Sequence, residues 1–193
     1  MTVIMEIITN QLRESAELKL LMQEQADIIE QIARTLVTCL GRGGKVILFG
    51  NGGSAADAQH IAAELNGKYL LQRPSLPVLS LITNSSTLTE IANDYGFDQI
   101  FSRQIETWAL SGDVAIGITT SGKSPSVIEA LRVAKAKGAI TVGLCGQYCD
   151  CIGQVADLCL SVPSKDTPRI QEIHITIGHI LCDIVERSLF GSL

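Results

Sequence analysis

The sequence predicts an α/β fold, a doubly wound five-stranded parallel sheet with helices on both faces and a helical arm at the N-terminus. Five short apolar runs, bounded by glycines and polar residues, alternate with segments of helical periodicity. A long helical pattern over residues 4–42 precedes the first of these runs. The order of strands and helices is therefore that of a flavodoxin-like fold with an added arm.

The arm is longer than an average helix, so we expect two helices that meet near Gln25–Asp27. The run Gly41–Gly44 ends the helical pattern. Mean hydropathy is +0.28, which is high for a chain of 193 residues, and an apolar arm used between subunits would account for it. We predict one domain over residues 1–193, in which residues 1–42 serve oligomer contacts.

The strands are predicted from their apolar, β-branched character, and the helices between them from their periodicity. The predicted strands are 45–49, 77–82, 114–118, 139–144 and 157–162. The predicted helices are 54–65, 99–110, 126–137 and 168–190, the last with Thr167 as N-cap and Pro168 in its first turn. In the strand order 2-1-3-4-5, strands 1 and 3 adjoin where the winding reverses, and ligands bind beside the loops at that point.

Composition excludes several classes of function. The net charge is −5 and only 4% of residues are aromatic, which argues against broad nucleic-acid binding. No apolar run approaches the length of about 20 residues that a membrane span needs, and the N-terminus lacks a signal-peptide pattern. We therefore expect a cytoplasmic protein whose six cysteines are reduced, and the spacing of Cys145, Cys149 and Cys151 is not typical of zinc sites.

The first candidate loop, Gly50–Ala55, follows a predicted strand and opens a helix. Its glycines let the backbone approach an anion, and the start of the helix supplies free N–H groups. The loop also fits a dinucleotide fingerprint, but that interpretation needs an acid after the second strand, where Thr83–Thr87 offers none. A tight turn without a ligand remains an alternative at this point.

The second candidate loop follows the third strand, and Gly117–Ser124 matches the nucleotide-binding P-loop pattern. Gly117 lies inside an apolar run, Pro125 removes a backbone donor, and no later strand ends in an Asp suited to magnesium. A P-loop nucleotide hydrolase is therefore the weaker alternative. A hydroxyl cluster that wraps one phosphate is favoured, formed by Thr119, Thr120, Ser121 and Ser124.

Two helices carry side chains suited to a metal or to proton transfer. His60 and Glu64 are four residues apart, so they lie on one helix face. Gln171 and His179 are separated by about 80° around the last helix and can face one site. The spacing is compatible with a metal or catalytic site between these helices, while structural histidines remain the alternative, and His174 points elsewhere and is interpreted as structural.

Three motifs resemble the sugar isomerase (SIS) domain family: Gly50–His60, Ala92–Gly96 and Thr167–Glu172, the last together with His179 and Val185-Glu186. The resemblance implies a homotetramer with one zinc ion in each active site. It also implies an aldose-ketose isomerase that converts D-sedoheptulose 7-phosphate into D-glycero-D-manno-heptose 7-phosphate through an enediol. That reaction would begin the supply of ADP-heptose or GDP-heptose, for lipopolysaccharide or another heptosylated polymer.

The resemblance also assigns roles to matching positions. Glu64 and His179 match the family's catalytic pair. The implied metal ligands are His60, Glu64, Gln171 and His179. The implied substrate contacts are Asn51, Gly52, Gly53, Ser54, Glu64, Asn93, Asp94, Thr119, Thr120, Ser121, Ser124 and Gln171. The family often has Ser at position 119, Asn at position 123 and Arg near position 68, where this chain has Thr, Lys and Lys.

The main rival comes from relatives in the same group that act as binding proteins, including one that associates with the bacterial replication initiator. Those relatives lack the metal-site residues, whereas this chain has all four. The residue types also suit isomerisation, which needs a base that moves a proton between C1 and C2 and an acid/base group for the oxygens. Glu64 is the predicted base and His179 the complementary group.

Overall fold

A computed structural model of the protein describes residues 2–191. These residues form one five-stranded sheet in the order β2-β1-β3-β4-β5, in which every neighbouring pair is parallel. The strands are β1 (Val46–Gly50), β2 (Val78–Ser80), β3 (Val114–Thr119), β4 (Ile140–Cys145) and β5 (Leu158–Ser161). The predicted fold class and strand order are therefore confirmed.

Helices cover both faces of the sheet. They are α1 (Val3–Leu21), α2 (Ala26–Gly41), α3 (Gly53–Asn66), α4 (Ser85–Tyr95), α5 (Ser102–Trp108), α6 (Pro125–Ala136), α7 (Asp150–Gly153) and α8 (Thr167–Phe190). Two short 3-10 helices, Met22–Gln25 and Phe97–Gln99, precede α2 and α5. Within residues 2–191 no helix is both long and apolar enough to cross a membrane.

The core consists of two apolar layers, one on each side of the sheet. One layer packs α2, α3 and α8 against the sheet, and its buried members are almost all aliphatic. The other packs α4 to α7 against the opposite face and contains the aromatic pair Phe49 and Phe101, at 5.5 Å between ring centroids. The strands are buried on both faces, which is why they read as continuous apolar runs.

The structure corrects three details of the predicted elements. β2 is only three residues long, and the segment after it, for which no helix is predicted, forms α4. The Asn84 carboxamide accepts the N–H of Thr87 at 3.1 Å and caps this helix. The N-cap of α8 is Asp166, whose backbone is extended. Thr167, the predicted N-cap, is instead the first residue of the helix. The start of α4 cannot be recognised in the polar run 83–87, because Ser, Thr and Asn are favoured both at helix N-caps and in loops.

The arm bends slightly earlier than predicted, at the 3-10 turn Met22–Gln25. Met22 is buried, and the Gln25 side chain donates a hydrogen bond to the Ser161 carbonyl on edge strand β5 at 2.5 Å. This contact attaches the bend to the sheet. The N-terminal half of α1 is different, since Ile4 and Leu12 are 70% and 68% exposed.

Candidate active site and metal centre

The two candidate loops meet at the carboxyl edge of the sheet, as predicted. β1 and β3 are direct neighbours, and Gly50 pairs with Ile118 at their ends. The Asn51 carboxamide then donates a hydrogen bond to the Ser126 hydroxyl at 3.0 Å, which joins the first loop to α6. The switch point of the sheet therefore holds both loops in one place.

Hydroxyl groups cluster in the second loop. The Thr119 hydroxyl lies 2.8 Å from that of Ser124 and 3.3 Å from that of Ser121. α6 begins directly afterwards at Pro125, so the positive end of its helix dipole lies next to these hydroxyls. Hydroxyl donors at the start of a 12-residue helix form a surface suited to a phosphate dianion. Thr120 follows in the same turn but makes a backbone contact, since its carbonyl accepts the Gly146 N–H at 3.1 Å.

The P-loop interpretation does not agree with this geometry. Gly117 lies within β3 and pairs with Phe49 and Gly143 on the two neighbouring strands. A phosphate-binding P-loop needs that first glycine in the loop itself, where the backbone wraps the anion. Gly117 is instead required for packing, because a Cβ there would lie 2.8 Å from the Val127 side chain.

A cluster of metal-ligating groups joins α3 and α8. The Nε2 atoms of His60 and His179 are 3.0 Å apart, and His60 Nε2 lies 3.4 Å from Glu64 Oε1. One ligand atom from each of these three residues lies within 4.8 Å of the others. The two helices pack closely at this level, because Gly178 lets the Ile61 side chain approach α8. The structure thus unites three of the four predicted ligands.

The donor set fits zinc. Two imidazole nitrogens and a carboxylate oxygen are ligand types that catalytic zinc sites use, and such sites keep a further position for water or substrate. Imidazole nitrogen and carboxylate oxygen are both ligands that suit zinc. The side chains of His60 and Glu64 are 49% and 27% exposed, so the cluster is open to solvent.

The fourth predicted ligand, Gln171, lies at the loop end of the same helix pair. Its amide group contacts the backbone of Gly53 so closely that any side chain at position 53 would collide with it. Gln171 is eight residues before His179, or about 12 Å along α8. The interface between α3 and α8 therefore extends from the glycine loop, where Gln171 lies, to the histidine pair, and metal ligation by Gln171 stays a prediction.

The structure adds a residue that the sequence did not single out, Tyr69. Its ring stacks on the His179 imidazole, with 5.8 Å between centroids and an interplanar angle of 25°. Its position depends on Glu186, whose side chain is 1% exposed and accepts the Tyr69 N–H at 2.8 Å. The sequence motif includes Glu186, but nothing in the sequence indicates that Glu186 binds the segment that carries Tyr69.

Glu186 holds the whole segment after α3. Its carboxylate also accepts the N–H groups of Leu70 and Leu71, at 2.7 and 2.6 Å, and the Nε–H of Arg73 at 2.9 Å. Burial alone would raise the pKa of Glu186, but the three backbone donors and Arg73 together lower it below its ordinary value. The carboxylate is therefore the charged anchor of this segment.

The remaining predicted contacts lie around the first loop. Ser54 is buried in the first turn of α3. Asn93 and Asp94 are exposed at the end of α4, where the Asn93 amide donates to the Asp94 carboxylate at 2.7 Å. A cavity of about 250 Å³ separates α4 from the first loop and is bordered by both Asn51 and Ala92, the residue before Asn93.

Two groups lie outside the site. His174 is fully buried beside the Cys145 carbonyl, and burial lowers its pKa to about 4, which agrees with a structural role. The six cysteines are unpaired, and three of them are buried. Within residues 2–191 no metal-ligating group of three residues includes a cysteine.

Comparisons with known proteins agree with this geometry. The profile of the SIS domain matches residues 12–146. A phosphoheptose isomerase of Geobacter sp. (strain M21) is 52% identical over 187 residues, with 96% of this chain and 97% of that protein covered. The solved phosphoheptose isomerase of Neisseria gonorrhoeae is 38% identical with a TM-score of 0.90, covering 95% of this chain and 99% of that one.

A second solved phosphoheptose isomerase, from Francisella tularensis, superimposes with a TM-score of 0.92 at 33% identity, over 96% of this chain and 100% of that one. These matches extend past the family profile and include α8, which carries Gln171 and His179. The chain belongs to the SIS domain family and, within it, to the phosphoheptose isomerases.

Proposed function

We propose that the protein is a sugar-phosphate isomerase that converts D-sedoheptulose 7-phosphate into D-glycero-D-manno-heptose 7-phosphate. The observation that carries this proposal is that one fold presents both a His/Glu/His cluster between α3 and α8 and a hydroxyl-lined start of α6. Relatives at about half identity along nearly the whole chain, named phosphoheptose isomerases, support the same reaction.

The geometry favours a substrate with its phosphate and its carbonyl at opposite ends. The phosphate would bind the Thr119–Ser124 loop and the start of α6, while the carbonyl end would reach the His60–His179 pair. His60 lies seven residues into α3 from Gly53, or about 10 Å along the helix. The histidine pair is thus separated from the glycine loop, which favours an extended substrate over a compact one.

Proton transfer falls to two side chains. Glu64 would remove the proton from C1 of the ketose and return it at C2, so that an enediol forms between the two steps. His179 would exchange protons with the two sugar oxygens, and stacking on Tyr69 fixes its ring plane for that purpose. A bound zinc ion would supply Lewis-acid polarisation of the carbonyl oxygen.

Direct measurement of the reaction tests the proposal. Incubation with D-sedoheptulose 7-phosphate, followed by NMR of the anomeric protons, should show an aldose phosphate accumulating to equilibrium. If no aldose forms but the sugar phosphate binds, the protein is a non-catalytic SIS-type binding protein. ATP hydrolysis under the same conditions would favour a P-loop hydrolase and contradict the proposal.

We propose zinc as the metal, held by His60, Glu64 and His179, with Gln171 as the fourth ligand. Treatment with a strong chelator is expected to abolish isomerisation, and added zinc should restore it. The His60→Ala variant should contain little zinc by elemental analysis, while the variant of its exposed neighbour, Gln59→Ala, should keep the ion. Full activity in a chelated, zinc-free sample would contradict this assignment.

We propose that the arm, residues 1–42, makes a homotetramer. Its support is the row of exposed apolar side chains on α1, where burial between subunits would remove a large apolar area from water. The double variant Ile4→Glu, Leu12→Glu should sediment as a smaller species than four chains of 20.7 kDa. Glu14→Gln, an exposed polar change on the same helix, is the control and should leave the mass unchanged.

We propose that the protein acts in the cytoplasm, because doubly charged sugar phosphates do not cross membranes unaided. Its product would supply a route to ADP-heptose or GDP-heptose, used in lipopolysaccharide or a similar heptosylated polymer.

A further inference from the structure

Two lysines lie against the same aromatic ring at the mouth of the phosphate loop. Lys123 Nζ is 5.4 Å from the centroid of the Tyr148 ring, and Lys165 Nζ is 5.6 Å from it. Both distances lie within the range of cation–π attraction. The ring thus has two positively charged groups within about 6 Å of its centroid.

The backbone fixes the ring next to the phosphate loop. Gly122 has a φ of +67°, and a Cβ there would collide with the Tyr148 carbonyl, so the two chain segments are in direct contact. The Gly146 N–H donates to the Thr120 carbonyl at 3.1 Å and ties the same two loops together. Tyr148 is therefore positioned by the loop whose hydroxyls would hold the phosphate.

The second lysine is positioned by a third loop. The Gln147 N–H donates to the Ser164 carbonyl at 3.1 Å, which joins the loop after β4 to the loop after β5. Lys165 follows directly and is exposed, as are Lys123 and Tyr148. Three loops at the carboxyl edge of the sheet thus converge on one ring and two ammonium groups.

Neither ammonium group is neutralised by a carboxylate within residues 2–191. The ion pairs in that part of the chain use Lys45 and Lys135, but not Lys123 or Lys165. The chain as a whole carries a net charge of −5, which repels an anionic substrate. Two unpaired cations beside the hydroxyl cluster oppose that repulsion where a phosphate must enter.

We infer that Lys123 and Lys165, held on the ring of Tyr148, draw the phosphate dianion of the substrate into the loop and set the preference for phosphorylated sugars. This inference rests on the proposed function, since it names a specificity device of the same site. In this proposal the lysines would act on the phosphate end of the substrate and not on the carbon atoms that exchange protons. Their loss should therefore raise KM and leave kcat nearly unchanged.

The test measures the steady-state kinetics of Lys123→Asn, Lys165→Asn and the double variant at several ionic strengths. Each single change should raise KM about three- to tenfold at low salt and about twofold near 0.15 M, because salt screens the lost attraction. The double variant should show the weakest dependence of kcat/KM on salt. Lys123→Arg and Lys165→Arg, which keep the charge, should retain the KM of the parent protein.

Lys137→Asn is the matched control, since it removes the same charge at the end of α6 opposite the phosphate loop. It should change neither KM nor the salt dependence. The inference is overturned if the double variant keeps the KM and salt dependence of the parent. It is also overturned if kcat falls while KM stays constant, or if the arginine variants behave like the asparagine variants.

A second readout separates this inference from the proposed function. Calorimetric titration with inorganic phosphate needs no turnover, and the double variant should bind it more weakly than the parent by the same factor as its KM changes. A parent protein without isomerase activity would contradict the proposed function, yet this titration would still decide the role of the lysines. Equal phosphate affinity in the parent and the double variant would refute the proposed role of the two lysines.

Discussion

Glu64→Gln is expected to lower kcat by about 10²–10⁴-fold, which is the usual contribution of a general acid–base group. The amide has the shape of the carboxyl group but cannot accept a proton from carbon. Glu64 is partly exposed on α3, and within residues 2–191 no backbone N–H donates to its carboxylate, so the fold should remain intact. The measurement is single-turnover NMR of the isomerisation, with circular dichroism as a check on folding.

Because Glu64 also belongs to the metal cluster, the variant must be assayed at a known zinc content. Loss of turnover in a zinc-loaded Glu64→Gln sample supports Glu64 as the base. If turnover is lost only in proportion to the zinc that the variant fails to bind, Glu64 has only a ligand role. Glu106→Gln, the same chemical change at an exposed position on α5, is the control and should keep full activity. A zinc-loaded Glu64→Gln protein with a rate within twofold of the parent would exclude Glu64 as the base.

Glu186→Gln is expected to destabilise the protein by about 3–5 kcal/mol, the cost of leaving one member of a buried charge pair alone. The side chains of Arg73 and Glu186 are 0% and 1% exposed, and the carboxylate accepts four N–H donors. A Gln side chain would place its own NH₂ group against the N–H donors that now bind the carboxylate. It would also leave the positive charge of Arg73 without a partner. The measurement is urea unfolding at constant protein concentration, and activity should fall too, because Tyr69 would lose its anchor beside His179.

The matched control is Asp183→Asn, which removes a carboxylate from an exposed ion pair with Arg187 on the same helix. It should cost less than about 1 kcal/mol. A Glu186→Gln variant as stable as Asp183→Asn would contradict the assigned role of the buried pair.

The pH dependence of stability gives an independent check on Glu186. Because the folded state lowers its pKa, its contribution is present above the ordinary value of 4.5 and is lost as the pH falls through the lowered value. The parent should therefore lose stability at acidic pH more steeply than Glu186→Gln does. Equal slopes for the two proteins would show that this carboxylate does not supply the acid sensitivity.

Much of the fold could be predicted because its signals are local. β1, β3 and β4 are buried on both faces and therefore appear as apolar runs, and the Gly41–Gly44 segment marks the end of the arm. α4 could not be predicted in this way, since its amphipathic pattern is short and it begins with the polar capping segment after β2. The same residue types form hydrogen bonds to the backbone at helix starts and in turns, so such a segment does not reveal which of the two it forms.

For the candidate site, the sequence alone placed His60 with Glu64 and Gln171 with His179, because helical periodicity fixes which side chains share a face. It also determined the two loops, because the order of strands brings their ends together. Only the tertiary structure decided that His60 and His179 meet at 3.0 Å, that Glu186 anchors Tyr69 beside them, and that two lysines share the Tyr148 ring. These contacts join segments far apart in the chain, and their geometry depends on how whole elements pack, which no local pattern of residues encodes.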